Sequence, residues 1–181
     1  PLRFNLELFL FLLLIAVSLF FINAGGTADI RGAWFGKWWL GNYQTHGLIK
    51  GYGLTGDNYP ILSYGYVALC SEAANFLNID VFYVHKIGMF VFLLASSLTM
   101  LYFTRGLFWA SLTILGLLLY SVSFGYLDIL MAPFVIASFF HLKKRNLFLF
   151  TLFLALAALC KWQPLIFAPF ILVYLLRKPD P

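Results

Sequence analysis

Charged residues are scarce in this sequence, and most signatures of a soluble enzyme are missing from it. Only 10% of its 181 residues are charged, whereas 62% are hydrophobic and the mean hydropathy is +0.90. The two cysteines, Cys70 and Cys160, provide neither a disulfide framework nor the ligand spacing of a metal site. The sequence has no glycine-rich phosphate loop, no nucleophile elbow and no internal repeat. This composition predicts a membrane protein that needs no metal ion or cofactor.

The net charge of +5 would suit a nucleic-acid-binding protein, but the positions of the cations argue against that class. Arg105, Lys143–Arg145 and Arg177–Lys178 flank apolar runs, which is the positive-inside pattern of membrane proteins. Arg3 precedes the first apolar run, so we expect the N-terminus in the cytoplasm. The expected partners of these cations are membrane lipids and not nucleic acid.

The apolar runs predict one all-α transmembrane domain over residues 1–181. We expect spans over residues 5–23, 83–103, 107–124, 127–142, 147–160 and 164–177. A further helix over residues 61–78 carries Glu72 near its middle, so it should lie along the interface or pack inside the bundle. The last two spans would be only about 21 Å long, so either the bilayer thins there or Lys161 lies in a water-filled cavity.

Residues 24–60 are the largest polar segment and are predicted to form an outer first loop. Three of the five tryptophans, Trp34, Trp38 and Trp39, lie in this loop, as in an interfacial aromatic belt. We expect a short surface helix over residues 33–40 and turns over residues 51–58. Chemistry on the aqueous side of the membrane should be sought in this segment.

The first residues predict a retained helix and a chain that is one piece of a longer or processed protein. The chain begins at Pro1 without an initiator methionine and ends at Pro181. Its first apolar run is about as long as a full span, and no A-x-A cleavage site follows it. A signal peptide is therefore not expected.

Asp29 is the first candidate for chemistry because it directly follows the first predicted span. A carboxylate at the membrane surface could act as a general base and take a proton from an acceptor hydroxyl. The alternative is that Asp29 caps a helix that starts near Ile30.

Lys161 is the second candidate, because it interrupts a long apolar run at Lys161–Pro164. A lysine in lipid is costly, and its ammonium could hold a phosphate at the outer leaflet. The alternative is a lysine that snorkels to the headgroups, although snorkelling does not account for the neighbouring Gln163. Pro164 explains the break, since it removes one backbone donor and bends the helix.

Two further carboxylates lie in predicted turns. Asp128 lies in a tight turn between two apolar runs, and Asp57 precedes the Tyr59–Pro60 pair. Either could be functional or could serve only as a helix cap or turn residue. The histidines at positions 46, 85 and 141 are scattered and are expected to be structural.

In this order the motifs resemble the GT-C superfamily of membrane glycosyltransferases, enzymes that use polyprenyl- or dolichyl-phosphate sugars. The resemblance covers nearly the whole chain and rests on Asp29, Asp57–Tyr64, Phe124–Asp128 and Lys161–Pro164. The sequence departs from the family pattern at Asn58, where an aspartate is common, and at Ile61, where a second proline is common.

The resemblance implies a polytopic helix bundle with a large outer first loop that contains short interfacial helices. Asp29 would be the catalytic base. The residues that would bind donor or substrate are Arg31, Asp57, Tyr59, Asp128, Lys161 and Gln163. The reaction would move a mannose-like hexose from a polyprenyl-phosphate donor to a lipid-linked or glycan acceptor, with inversion and with Lys161 stabilising the leaving phosphate.

The resemblance also implies a multi-pass protein of the bacterial inner membrane rather than the endoplasmic reticulum, with a periplasmic, extracellular or luminal active face. Two other classes stay open. A transporter or flippase would carry ionisable groups near mid-membrane, whereas here they gather toward one face. A non-catalytic membrane subunit would use Asp29, Asp128 and Lys161 only as caps and anchors.

Overall fold

The computed structural model describes residues 2–23, 25–26, 30–55 and 59–177, and these are almost entirely helical. The α-helices are α1 (Leu2–Phe20), α2 (Trp39–Leu54), α3 (Ile61–Leu77), α4 (Val81–Thr104), α5 (Leu107–Leu118), α6 (Ala132–Lys143), α7 (Leu147–Cys160) and α8 (Ala168–Arg177). Short 3₁₀ helices span Phe21–Asn23, Leu127–Met131 and Gln163–Phe167, and π-helical segments span Ile30–Lys37 and Leu119–Ser123. The described ranges contain no strand, which confirms the all-α prediction.

Among the described residues, two helical stretches are long and apolar enough to cross a membrane. They cover Asn5–Asn23, with 19 residues, and Val81–Thr104, with 24 residues. At a rise of about 1.5 Å per residue these stretches measure roughly 28 and 36 Å, against a hydrocarbon core of about 30 Å. Shorter apolar helical stretches cover Leu107–Ser123, Leu147–Cys160 and Gln163–Leu176, close to the bounds expected from the sequence.

The longest helices begin and end at residues that suit helix termini. The Asp80 carboxylate caps α4 by accepting hydrogen bonds from the backbone N–H groups of Phe82 and Tyr83, at 2.9 and 3.1 Å. The helix ends at Arg105, whose φ of 57° leaves the right-handed region. Asn146 caps α7 in the same way, by accepting from the Leu149 N–H at 3.1 Å.

Helix α4 lies at the centre of the bundle and packs against α3, α5 and α6. Met89 and Leu93 of α4 are fully buried there, together with Val67 of α3 and Ile114 of α5. Helix α1 packs on α5, and α7 forms a hairpin with α6. The interior combines apolar side chains with serines that bond to backbone carbonyls, as where Ser97 Oγ of α4 donates to the Ala110 carbonyl of α5 at 2.9 Å.

The basic loops after α4 and after α6 lie at one end of the bundle, which we call the basic end. The Phe103 ring stacks on Phe140 of α6 with their centroids 4.6 Å apart, and Lys144 Nζ lies 5.3 Å from the Phe103 ring. Helix α7 leads away from this end, so Lys161 lies about 21 Å from it, the length of a 14-residue helix.

The first loop corrects the prediction in two places. The expected short helix over residues 33–40 is instead a π-helical segment followed by the 16-residue α2. The prediction of turns over residues 51–58 is wrong for 51–54, which belong to α2, while 56–58 lie outside the described residues. The sharp bend falls at Gly47, with φ 73° and ψ −176°, and it brings Gly51 back against Asn42.

Helix α3 packs inside the bundle, the second of its two expected positions. One face of the helix is buried against α4 and α7, including Tyr64, Val67 and Cys70. Glu72 lies on the opposite, exposed face, where its carboxylate accepts a hydrogen bond from the Tyr43 hydroxyl at 2.7 Å. That hydrogen bond raises the pKa of the Tyr43 phenol and accounts for an acidic residue in the middle of this helix.

Candidate functional site

The centre of the candidate site is an ion pair between Lys161 and Asp128. Lys161 Nζ donates to Asp128 Oδ1 across 33 residues of sequence. The Lys161 side chain is 15% exposed and that of Asp128 is 37% exposed, so the pair is partly shielded from solvent. Partial burial strengthens the Coulomb attraction between the two charges and also removes part of their hydration.

Lys161 owes its position to the break between α7 and the following 3₁₀ helix. Its backbone leaves the helix with φ −157° and ψ 143°, and Pro164 lies at the start of the next helical turn. The Ser63 hydroxyl of α3 donates to the Cys160 carbonyl, so the end of α7 is fixed to the beginning of α3. This bond satisfies a carbonyl at the helix end that would otherwise have no backbone partner.

Tyr59 forms the second wall of the site. The Lys161 ammonium lies 5.3 Å from the centre of the Tyr59 ring, within the range of a cation–π contact. The ring in turn meets Trp39 edge-on at 5.3 Å, and the Tyr52 hydroxyl donates to the Tyr59 carbonyl at 2.9 Å. Residues of the first loop therefore fix one side of the lysine.

An open cavity of about 390 Å³ adjoins the ion pair. It is lined by Tyr59, Lys161, Trp162, Gln163 and Ile166. The lining offers an ammonium and an amide beside aromatic and aliphatic side chains. This combination suits a ligand that carries both an anionic or hydroxylated group and an apolar portion.

Asp128 is held by contacts from α4 to the turn that precedes it. Lys86 Nζ donates to the carbonyls of Val122 and Ser123, the second at 2.8 Å, at the end of the π-helical segment. The His85 Nε2–H donates to the Gly125 carbonyl at 2.9 Å, and Gly125 has a φ of 83°. Both α4 side chains are buried, so the turn leading into Leu127–Met131 is tied to the bundle core.

Lys86 is a functional contact near the candidate site that sequence reasoning missed. Its side chain is 1% exposed, and no carboxylate within the described ranges lies within 4 Å of its ammonium. Its ammonium instead donates hydrogen bonds to carbonyls at the C-terminal end of the π-helical segment Leu119–Ser123, where the helix dipole is negative and also favours a cation. His85, the neighbouring residue, binds the Gly125 carbonyl of the same turn.

The surroundings of Lys161 favour its charged form. The negative charge of Asp128 lies directly against its ammonium, and the face of the Tyr59 ring adds a cation–π contact.

The seven predicted site residues fall into three groups. Asp128, Lys161, Gln163 and Tyr59 lie together around the ion pair and its cavity. Arg31 is exposed, and its guanidinium lies 5.4 Å from the Phe82 ring at the start of α4. Asp29, the expected base, and Asp57 lie outside the described residues.

The alternative roles considered for Asp128 and Lys161, a helix cap and a snorkelling lysine, do not describe these side chains. Asp128 lies in the first turn of Leu127–Met131, but no side chain caps that helix, and its carboxylate bonds Lys161 instead. The Lys161 side chain is partly buried against Asp128 and Tyr59, so it does not snorkel away from the bundle.

Chemically, the arrangement can bind an anion and stabilise negative charge. The ammonium of Lys161 can exchange its hydrogen bond to Asp128 for one to a phosphate oxygen, and the Gln163 amide has donors and an acceptor for hydroxyl groups.

Comparison of the chain with protein-family models, curated proteins and solved structures gives no match in any of the three.

Proposed function

We propose that this chain is the membrane-embedded part of a glycosyltransferase that moves a hexose from a polyprenyl-phosphate donor to a lipid-linked or glycan acceptor. The observation that carries the proposal is the Lys161–Asp128 ion pair, which adjoins a cavity shared with Gln163 and Tyr59. The resemblance of the motifs to GT-C enzymes supplies the reaction class.

A membrane location is supported by the exterior of the bundle as well as by its two long apolar helices. Large apolar side chains stay exposed along α1, α5, α7 and α8, for example Phe9, Leu115, Phe148 and Phe170. In water, an apolar surface of this extent would promote aggregation. Hydrocarbon tails would cover it at no such cost, and we propose a multi-pass protein whose basic end faces the cytoplasm.

The depth of the lysine fits a donor that is itself a lipid. Helix α7 places Lys161 about 21 Å from the basic end, whereas a hydrocarbon core is about 30 Å thick. The cavity would thus open below the outer surface, within reach of a lipid phosphate. A soluble nucleotide sugar would have to enter the bilayer to reach the same position.

In the proposed reaction, the donor phosphate replaces Asp128 as the partner of Lys161. The ammonium then stabilises the charge that develops on the phosphate as the bond to the sugar breaks. Asp29 takes the proton of the acceptor hydroxyl, which attacks from the opposite side and inverts the sugar carbon. Gln163 and Tyr59 orient the sugar and phosphate in the cavity.

The test is a transfer assay with radiolabelled polyprenyl-phosphate sugars on membranes that carry the full reading frame. Removing a general base typically costs ~10²–10⁴-fold, so Asp29→Asn should lose nearly all transfer. Removing an electrostatic stabiliser typically costs ~10²–10³-fold, which is the loss expected for Lys161→Gln. Lys50→Gln, which alters an exposed lysine of α2, is the matched control and should transfer at the wild-type rate.

Other outcomes separate the remaining classes. Wild-type turnover by Asp29→Asn would remove Asp29 as the base. The non-catalytic class is favoured by one observation, namely that Lys161 already has an acidic partner. Failure of the well-folded wild-type protein to use any donor would therefore favour a structural subunit or a transporter.

A further inference from the structure

A second cavity lies between α6 and α8, away from the candidate site. It is a groove of about 280 Å³ that is mostly apolar. Phe139 and Phe167 meet edge-on at one end, with ring centroids 5.3 Å apart, and Lys143 and Tyr174 line the other. Phe170 lies between these ends and is 71% exposed. The groove thus runs toward the basic end of the bundle.

The part of the sequence that forms this groove is strongly cationic. Residues 129–181 contain one acidic residue, Asp180, and six cations, which are Lys143, Lys144, Arg145, Lys161, Arg177 and Lys178. Lys161 pairs with Asp128 at the opposite end of α7, whereas Lys143, at the end of α6, lines the groove.

We propose that this groove binds one acyl chain of an anionic phospholipid, with the lipid phosphate against Lys143. The inference rests on the membrane location within the proposed function but not on the transferase reaction. The acyl chain would cover the apolar lining, and the headgroup phosphate would place a negative charge beside Lys143. Basic pockets between helices on the cytoplasmic side are suited to such headgroups.

The charge pattern favours this occupant over three others. A zwitterionic phospholipid would add a cation to a part of the sequence that already carries six cations and one acidic residue. A second copy of the chain would bring the same cations face to face. A polyprenyl donor would have its phosphate at Lys161, about 21 Å from Lys143, so Lys143 would not affect its binding.

The test measures lipid selectivity with spin-labelled phosphatidylglycerol and phosphatidylcholine in vesicles that contain the purified chain. The ratio of the two association constants should favour phosphatidylglycerol in the wild type. One surface cation at an anionic membrane is worth about a fivefold effect, so Lys143→Gln should lower the ratio about fivefold. Arg105→Gln removes a cation of the same end that does not line the groove, and it should leave the ratio nearly unchanged.

A second pair of variants tests the groove itself. Phe170→Ser removes an exposed ring from the lining and should reduce the bound fraction of phosphatidylglycerol. Phe148→Ser removes a ring of α7 that is 76% exposed and outside the groove, so it should have no such effect. The proposal would be overturned if the two serine variants reduced the bound fraction of phosphatidylglycerol equally. It would also be overturned if Lys143→Gln kept the wild-type ratio of the two association constants.

Flotation of the same vesicles separates this inference from the proposed function. A chain that does not float with vesicles contradicts the membrane location and the groove proposal together. A chain that floats and transfers sugar, yet shows equal association constants for the two lipids, contradicts the groove proposal alone. Binding that depends on Phe170 but not on Lys143 would indicate a polyprenyl tail and would also overturn it.

Discussion

Removing either partner of the Lys161–Asp128 pair should destabilise the protein, but by unequal amounts. In Asp128→Asn the ammonium of Lys161 loses the one carboxylate partner that it has among the described residues, and it keeps its contact with the Tyr59 ring. The Lys161 side chain is only 15% exposed, so water can hydrate the orphan charge poorly. In Lys161→Met the remaining carboxylate of Asp128 is 37% exposed and can be hydrated. The more buried orphan charge should therefore cost more.

The burial of the two side chains sets the size of these effects. Breaking a fully buried pair costs ~3–5 kcal/mol and an exposed pair is worth ~0–1 kcal/mol, so we expect about 2 kcal/mol for Asp128→Asn and about 1 kcal/mol for Lys161→Met. For a chain of this length 1 kcal/mol lowers Tm by ~2–4 °C. The double variant has no orphan charge, so it should be about 1–2 kcal/mol more stable than the sum of the single effects predicts.

The assay is thermal unfolding in one detergent at one scan rate, because apparent Tm values depend on scan rate when unfolding is irreversible. Lys50→Met, at an exposed lysine of α2, is the control and should change stability by less than about 0.5 kcal/mol. Strict additivity of the double variant would refute the pairing. A larger loss in Lys161→Met than in Asp128→Asn would refute the reasoning from burial.

Two further predictions concern the residues that shape the site's surroundings. A Cβ at Gly51 would lie 2.7 Å from the Asn42 carbonyl oxygen, so Gly51→Ala should lower Tm by several degrees, whereas Gly53→Ala, which meets open space, should not. Equal Tm values would contradict the close approach. Lys86→Met leaves two carbonyls of the π-helical segment without their donor and should cost about 1–3 kcal/mol in a thermal melt. An unchanged Tm would show that the ammonium does not stabilise that helix end.

Local signals in the sequence were sufficient for the long apolar helices. The bounds of α7 are those expected, 147–160, because a capping asparagine precedes it and a polar break follows it. Helix α4 is likewise close to its prediction, since Asp80 and Arg105 mark its ends. The sequence also predicted that Asp128 and Lys161 lie at the same end of the bundle. Each follows an apolar run that leads away from a basic loop, so the alternating direction of the helices is enough to place them there.

The sequence was not sufficient where a contact joins distant residues. The glycines of α2 suggest turns, but Gly51 serves close packing and only Gly47 makes the sharp bend. Lys86 resembles an ordinary lysine near a span entry, because its carbonyl partners lie more than 30 residues away. The pairing of Asp128 with Lys161 needs the register of α7 against the 3₁₀ helix Leu127–Met131, which no local pattern encodes.

The π-helical segment Leu119–Ser123 lets the chain change its length by one residue without turning the site. Its widened turn, closed by the bond from the Phe124 N–H to the Leu119 carbonyl at 3.0 Å, holds one residue more than an α-helical turn. Because the extra residue lies within a single turn, deleting it would restore α-helical winding with little rotation of the following segment, and Asp128 would still face Lys161. A residue inserted into α5 with α-helical winding would instead turn everything after it by about 100° about the helix axis. Changes of length between α5 and Asp128 should therefore be tolerated at the π-helical segment and not within α5.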